Sequence, residues 1–370
     1  MEIYKANRQW AERPKDERFP TLRALYDATR AYAVDARTAE RPWSELRTEA
    51  SGEDVLLVGK SNQPAILTHW AFGQLAARVG APANYLRELP PTLAVQNLNY
   101  GLAHRDAGTK KAQMLFHTNG GLLVRALTTE VYERVWNWEV ASRMIQLEDR
   151  GWSPARPDTQ FAPSLGRTLP DETSNFPALY ASDHDMFAFL CTDRIVEEEG
   201  QLGGLRRSFI VENSEVGDSA LRLTRFLYRM MCGNHIIWGA SKVYEISLRH
   251  VGGIRDKWNG WDAELRRYAD ESVSDEEAKI ARAKHVRIGA TKDEVLDRLF
   301  GIRKLDLSRK LLTAGYEAQE NAVIAGVERD SPQTQWGIVQ GLTRHATTIP
   351  FADRRTEVDR AAGRILEIEF

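Results

Sequence analysis

Cysteine is almost missing from this chain: 370 residues hold two, Cys191 and Cys232. Two cysteines cannot build a disulfide framework and lack the paired spacing of a zinc site. The fold must therefore rest on apolar burial, in what reads as a reducing cytoplasm. An apolar fraction of 42% over this length is ample for a sizeable core. Long apolar runs are missing too. No stretch approaches the roughly 20 consecutive apolar residues of a spanning helix, and the amino-terminal residues do not resemble a signal peptide. A cytoplasmic protein with no membrane partner is expected. The third absence is a dominant charge. Lysine plus arginine number 50 and aspartate plus glutamate 52, so any attraction to nucleic acid must come from local clustering.

Catalytic signatures are sparse. Gly59-Lys60-Ser61 follows the apolar run Val55–Val58, as a phosphate-binding loop would, but Asp54 stands where the loop needs its first glycine. Asn62-Gln63-Pro64 then cannot continue as a helix, so a turn is expected. There is no Gly-x-Ser-x-Gly and no His-Glu-x-x-His, and Cys232 sits in an apolar run as a structural cysteine does. Asp183, Asp185, Glu212 and His235 could bind a metal in an enzyme acting on nucleic acid or nucleotides, although none has characteristic ligand spacing. No cofactor is expected, and a non-enzymatic protein is favoured. Ala76, Gly80, Leu86 and Leu89 have the offsets of a helix-turn-helix, with Asn84, Tyr85, Arg87 and Glu88 facing outward. A recognition helix with one arginine is a poor groove reader.

The periodicities predict an α+β fold: a central, mostly antiparallel sheet with a helical insertion near the amino terminus and a helical carboxyl-terminal third. Three regions are expected: an amino-terminal arm over 1–50, an α+β core over 51–260, and a helical region over 261–370. The arm, polar and carrying Pro14, Pro20 and Pro42, reads as short helices, one over Thr21–Ala33. Strands are expected at Val55–Gly59 and Ala65–Thr68, and helical turns from His69 to His104. The clearest hairpin pairs Gln113–His117 with Leu122–Leu127 through Thr118-Asn119-Gly120-Gly121. Thr128–Ile145 reads as an amphipathic helix and Gly151–Pro177 as a loop or flap. Strands follow at Asp185–Thr192, Arg206–Glu212, Ala220–Met230 and Val243–His250. Beyond Trp261 the pattern is helical, with segments near Asp262–His285, Thr291–Phe300, Ser308–Ala325, Gln333–His345 and Asp353–Leu366.

What is present in quantity is a basic, aromatic centre from Phe209 to Gly253. From Leu221 to Lys257 the cations are Arg222, Arg225, Arg229, Lys242, Arg249, Arg255 and Lys257, against the acids Glu245 and Asp256. Phe226, Tyr228, Trp238, Tyr244 and Trp258 are interleaved. Cations neutralise phosphates and flat rings stack on bases, a mixture suited to single strands. On a strand, Arg225, Leu227 and Arg229 share one face and Phe226, Tyr228 and Met230 the other, so the aromatics could be core and the arginines surface. On a helix, Arg222, Arg225 and Arg229 would share one face.

Ile210-Val211-Glu212-Asn213-Ser214-Glu215-Val216-Gly217, then Phe226-Leu227-Tyr228-Arg229, then Cys232-Gly233-Asn234 resembles the phage/plasmid-like family catalogued as domain of unknown function nine-thirty-two. Trp70-Ala71, Gln74-Leu75, Gly80-Ala81-Pro82, Tyr85-Leu86 and Asn97-Leu98-Asn99 are similar to that family's helical entry. Val124-Arg125-Ala126 with Tyr132 resembles its hairpin exit, and Trp336, Thr343 and His345 its tail. The likeness spans most of residues 66–350, with His235 departing from the expected glycine or small residue. It implies a mobile-element setting and no activity. The leading expectation is a phage- or plasmid-type nucleic-acid-binding protein of recombination or replication, with single-stranded DNA as the favoured partner and a homo-oligomer allowed. Arg222, Arg225, Tyr228, Arg229, Trp238, Lys242 and Arg249 would bind it. Asn213, Ser214, Gly217 and Asn234 would shape the site as turn formers. Besides the metal-dependent enzyme, the rival is a protein-interaction module that interferes with host factors through the helical carboxyl-terminal third.

Overall fold

Hydroxyl side chains set where many of the helices begin. Thr21 accepts a hydrogen bond from the Ala24 amide at 3.1 Å and opens α1 (Leu22–Val34), satisfying an amide the first turn would leave orphaned. The computed structural model describes residues 15–59, 63–104, 110–118, 121–154, 178–197, 205–229, 234–236, 245–270, 272, 274–346, 348–349 and 352–370. Its fold is α+β.

The first sheet has six described strands: β1 (Ala36–Pro42), β2 (Leu46–Ser51), β3 (Asp54–Gly59), β4 (Ala65–Leu67), β5 (Lys111–Thr118) and β6 (Leu122–Thr129), in the order β1-β5-β6-β4-β3-β2. All pairs are antiparallel except β4 with β6. A parallel pair needs a crossover, and α2 (His69–Val79), α3 (Ala83–Glu88) and α4 (Pro91–His104) supply it together with β5. Thr68 caps α2 by accepting from the Ala71 amide, and Gly80 ends it at φ 71. Leu75 and Leu98 from these helices pack on Leu57, Leu67, Met114 and Val124 of the sheet.

The expected helical arm is instead partly sheet, since β1 and β2 are the edges. Both are rich in charge, as edge strands often are to discourage further pairing. In β2 only Leu46 and Thr48 are buried, an alternation too short to stand out. The expected helix over Thr128–Ile145 is also shorter. Thr128 and Thr129 complete β6, and α5 spans only Asn137–Ile145.

The second sheet is wholly antiparallel. β7 (Trp152–Pro154) and β8 (Leu179–Ala181) pair with β9 (Met186–Glu197); β10 (Leu205–Asn213) and β11 (Leu221–Arg229) follow, with β12 (Asn234–Ile236) and β13 (Glu245–Leu248) on β11. The antiparallel sheet read as one is therefore two. Residues 155–177, most of the expected flap, lie outside the described residues. α1, α5 and α6 (Ile254–Asp270) contribute Leu22, Leu25, Val140, Met144, Ile254 and Leu265 to the core beneath Leu190, Phe209 and Leu223. The helix expected from Asp262 starts earlier and is divided in two. Glu133 sets the start: its carboxylate accepts from the amides of Gly253 and Ile254 at 2.8 and 2.9 Å. The helix N-terminus favours negative charge, and these backbone bonds hold the Glu133 pKa below its ordinary value.

The carboxyl-terminal third is helical: α7 (Ser274–His285), α8 (Lys292–Phe300), α9 (Arg309–Ile324), α10 (Gln335–Ala346) and α11 (Ala352–Ile365). Trp336, Leu342 and Val358 form a third core with Leu312, Leu296 and Leu227 of β11. α10 runs through its middle, buried at nearly every position. Its Gly341 lies against α9 so closely that a Cβ would meet the Gly315 carbonyl oxygen at 2.1 Å, so no larger residue fits without shifting a helix. The short β12 packs against both α10 and α11.

Candidate nucleic-acid interface

The turn Asn213–Gly217 is densely hydrogen-bonded, and it joins the two sheets. Gly217 closes it at φ 86, a left-handed conformation that glycine adopts without strain. Asn213 donates from Nδ2 to the Val135 carbonyl and to Asn137 Oδ1 at 3.0 and 2.8 Å. The Ser214 hydroxyl donates to the His184 carbonyl at 2.6 Å and accepts from the Val216 and Asp218 amides. Tyr132 donates its hydroxyl proton to the Ser214 carbonyl at 2.9 Å. From the first sheet, Arg125 Nη1 reaches Glu215 Oε2 at 3.1 Å, the two side chains 1% and 2% exposed. Glu215 Oε1 also accepts from the Asn137 amide, and its carbonyl from Arg134 Nε. Trp70 Nε1 and Gln74 Nε2 donate to the Val216 carbonyl at 3.1 and 2.7 Å.

Ionisable groups around this turn are displaced from their ordinary behaviour. Burial pushes the Tyr32 and Tyr132 hydroxyls up. Tyr32 stacks on His117, with ring centroids 3.9 Å apart, and lies beneath the Arg125 guanidinium. Burial first and Arg125 second hold the His117 pKa down. His250, stacked on Tyr132, is pushed down to about 4, chiefly by burial. Burial opposes charge on His184 as well, but the hydrogen bond to Asp183 and the charges of Asp185, Asp183 and Asp218 outweigh it and raise its pKa. The hydrogen bond from His184 in turn lowers Asp183. Such clustering attends functional sites and structural ion networks alike. Here the partners hold the sheets together.

Trp70, Gln74, Arg125, Tyr132 and Asn213–Gly217 all belong to the motifs quoted above, and they meet at this junction. A second meeting brings β12, with Asn234, against α10, which carries Trp336, Thr343 and His345. Arg134 lies outside those motifs, and nothing local in the sequence shows that Arg125, Arg134 and Glu215 form one cluster.

The expected binding residues disperse. In β11, Arg225 shares a face with Leu221, Leu223 and Leu227; α6 covers that face at Leu221 and Leu223, while Leu227 packs in the third core. Its guanidinium is 4% exposed, paired with the Glu264 carboxylate and placed over the Tyr268 ring at 4.3 Å. The arginine face expected at the surface is thus buried at Arg225, because α6 offers it a carboxylate and a ring. Arg222 lies on the opposite face and pairs with Glu212, its neighbour across the register, at 2.8 Å. Arg249 is exposed. Tyr228, Arg229 and Asn234 are placed by their strands, but their side chains lie outside the described residues, as do Trp238 and Lys242 entirely. Trp258 is buried under Arg143, whose guanidinium sits 4.0 Å from its ring centroid.

α6 has an outward side as well. Ile254, Trp258, Leu265 and Tyr268 face the core, while Arg255, Lys257, Arg266 and Arg267 are exposed. Near its end a cleft of about 370 Å³ is lined by Arg143, Gln146, Leu147, Asp149, Arg150 and Arg266.

The metal-dependent alternative finds Asp183 exposed, Asp185 buried and Glu212 paired with Arg222, while the His235 side chain lies outside the described residues. No group of three or more histidine, cysteine or acidic side chains gathers to hold a metal among the described residues. The helix-turn-helix candidate has a second helix of six residues, and its Arg87 turns back to donate to the His69 carbonyl at 2.8 Å. Among the described residues no helix is long and apolar enough to cross a membrane.

What the fold and the site define is an α+β protein with one mostly and one wholly antiparallel sheet bolted together through a buried polar turn, and an arginine-bearing helix on the second sheet. Comparison with protein-family models, curated proteins and solved structures finds no match.

Proposed function

We propose that the protein binds nucleic acid, with single-stranded DNA as the favoured partner, in a recombination or replication process of phage or plasmid type, as a cytoplasmic protein able to self-associate. The observation that carries this is the outer side of α6 and the turn before it, where Arg249, Arg255, Lys257, Arg266 and Arg267 are exposed beside the exposed acids Asp256 and Asp270. In a chain of net charge −2, such a local surplus is what attracts a phosphate backbone, and the attraction must be salt-dependent. The partner contacts shift accordingly from β11, where Arg222 and Arg225 are 22% and 4% exposed and paired with Glu212 and Glu264, to this helix, where Arg255 and Arg267 pair with Glu139 and Glu264 but stay 64% and 63% exposed.

The test is a fluorescence-anisotropy titration of labelled single-stranded and duplex oligonucleotides at several salt concentrations. Single-stranded binding that weakens linearly with the logarithm of salt is expected. Undetectable binding at low salt overturns the proposal, and equal or tighter duplex binding overturns the strand preference.

A further inference from the structure

The cleft between α5 and α6 carries more than a general positive field. Its wall is built from three segments: Arg143 on α5, Arg150 on the turn that follows, and Arg266 on α6. Each guanidinium is held in place. Arg143 donates to the Trp258 carbonyl at 3.1 Å and lies over the Trp258 ring. Arg266 donates to Gln146 Oε1 at 3.1 Å, and Arg150 pairs with Asp270. A guanidinium is a planar fork of five N–H donors, so one anchored through one or two of them can present others to a ligand. The lining carries three guanidiniums against one carboxylate, Asp149, and with Asp270 paired to Arg150 these residues still hold one more cation than acids.

We infer that this cleft is a binding site for a phosphate group, held by Arg150 and Arg266 with Arg143 behind them. Phosphate matches the fork geometry and offers more acceptor oxygens than a carboxylate. Its source is a phosphodiester of bound nucleic acid or a free phosphate ester, and the two share this chemistry. With the first source the cleft rests on the proposed nucleic-acid binding and gives one backbone phosphate a fixed seat. With the second it stands without it.

The test uses the full chain and inorganic phosphate as the probe. In calorimetry at low salt, phosphate is expected to bind saturably and to raise the melting temperature, while acetate at equal concentration does neither. Replacing both Arg150→Gln and Arg266→Gln should weaken phosphate binding by roughly tenfold or more, since each removes a charge-assisted hydrogen bond. Arg47→Gln, on β2 and outside the cleft lining, should leave phosphate binding unchanged. The wild-type measurement does not depend on how well the double variant folds. Absence of saturable binding in the wild type overturns the inference, as does a folded double variant of undiminished affinity. A labelled single-stranded oligonucleotide separates the sources: phosphate competing with it, and the double variant losing both, assigns the seat to the nucleic-acid backbone. Phosphate binding without oligonucleotide binding keeps the cleft and overturns the proposed function. Oligonucleotide binding without phosphate binding does the reverse.

Discussion

Two regions of this molecule have the same composition and opposite physics. The junction around Asn213–Gly217 and α6 both draw on arginines and aromatic rings, but α6 turns Trp258 and Tyr268 to the core and Arg255, Arg266 and Arg267 outward. At the junction, Arg125 lies over Tyr32 at 4.4 Å and Arg134 over Tyr132 at 5.6 Å, with Glu215 bonding to both. On α6, Arg255 and Arg267 meet Glu139 and Glu264 with their own side chains 64% and 63% exposed. An exposed pair contributes at most about 1 kcal/mol and is screened by salt. A buried pair is costly to break because the surviving charge has nowhere to go. Arginine next to an aromatic is therefore no sign of a binding surface until burial is known. The junction uses the combination as a bolt, whereas α6 separates the two, with its rings in the core and its outer arginines in solvent.

Breaking the bolt gives the largest expected effect. Glu215→Ala leaves Arg125 buried without its carboxylate and removes an acceptor from the Asn137 amide. A loss of about 3–5 kcal/mol is expected, read as a lowered urea midpoint. Arg125→Met with Glu215→Leu should cost less than Glu215→Ala alone, since no charge is then stranded. If Glu215→Ala is as stable as the parent, the contrast between the two regions collapses.

Acid sharpens the same contrast with a smaller effect. His250 lies against Tyr132, donates from Nδ1 to the Glu133 carbonyl at 3.2 Å, and has its pKa pushed down to about 4 by burial. A histidine buried neutral stabilises the fold above its unfolded pKa of about 6.5, and that contribution fades as pH falls toward the folded value. Between pH 7 and 5 this one group should cost about 2 kcal/mol, and His117, displaced in the same direction, adds to it. His184 works oppositely: its raised pKa gives stability below about 6.5 that is lost as pH rises through the folded value. Urea midpoints at the two pH values should therefore fall on acidification, and His250→Gln should reduce that fall. An unchanged difference in the variant would place the acid-sensitive group elsewhere.

Much of the fold was legible from short-range signals. Thr21, Thr68, Thr291 and Ser308 mark helix starts through side-chain caps, and the pairing of β5 with β6 was expected from the Asn-Gly sequence between them. What resisted was non-local. β1 carries Arg37, Glu40 and Arg41 on an edge, so its polar sequence hides a strand. Two mostly antiparallel sheets present the same local alternation as one. At the site, Asn213, Ser214 and Gly217 were legible as turn formers because glycine and small polar residues have local consequences. Arg225 was misplaced because strand alternation gives two faces without saying which one a later helix covers. α6 decides that with Glu264 and Tyr268, about 40 residues further on.

The smallest expected effect on stability falls on the α6 side, and there the two regions should exchange ranks. Arg249 and Lys257 are exposed, and Lys257 makes one exposed bond, to the Gly252 carbonyl at 3.0 Å. Replacing both by glutamine should leave the urea midpoint within about 0.5 kcal/mol of the parent, as surface substitutions usually do. If the two side chains neutralise backbone phosphates, each removal should flatten the logarithmic salt dependence of single-strand binding by about 0.7. Glu215→Ala should do the opposite: a large drop in stability and, at a temperature where the variant remains folded, an unchanged salt slope. A double variant that binds with the parent's slope would confine the phosphate contacts to the cleft of Arg143, Arg150 and Arg266. The exposed cations before it would then be a solvated face, as most exposed cations are.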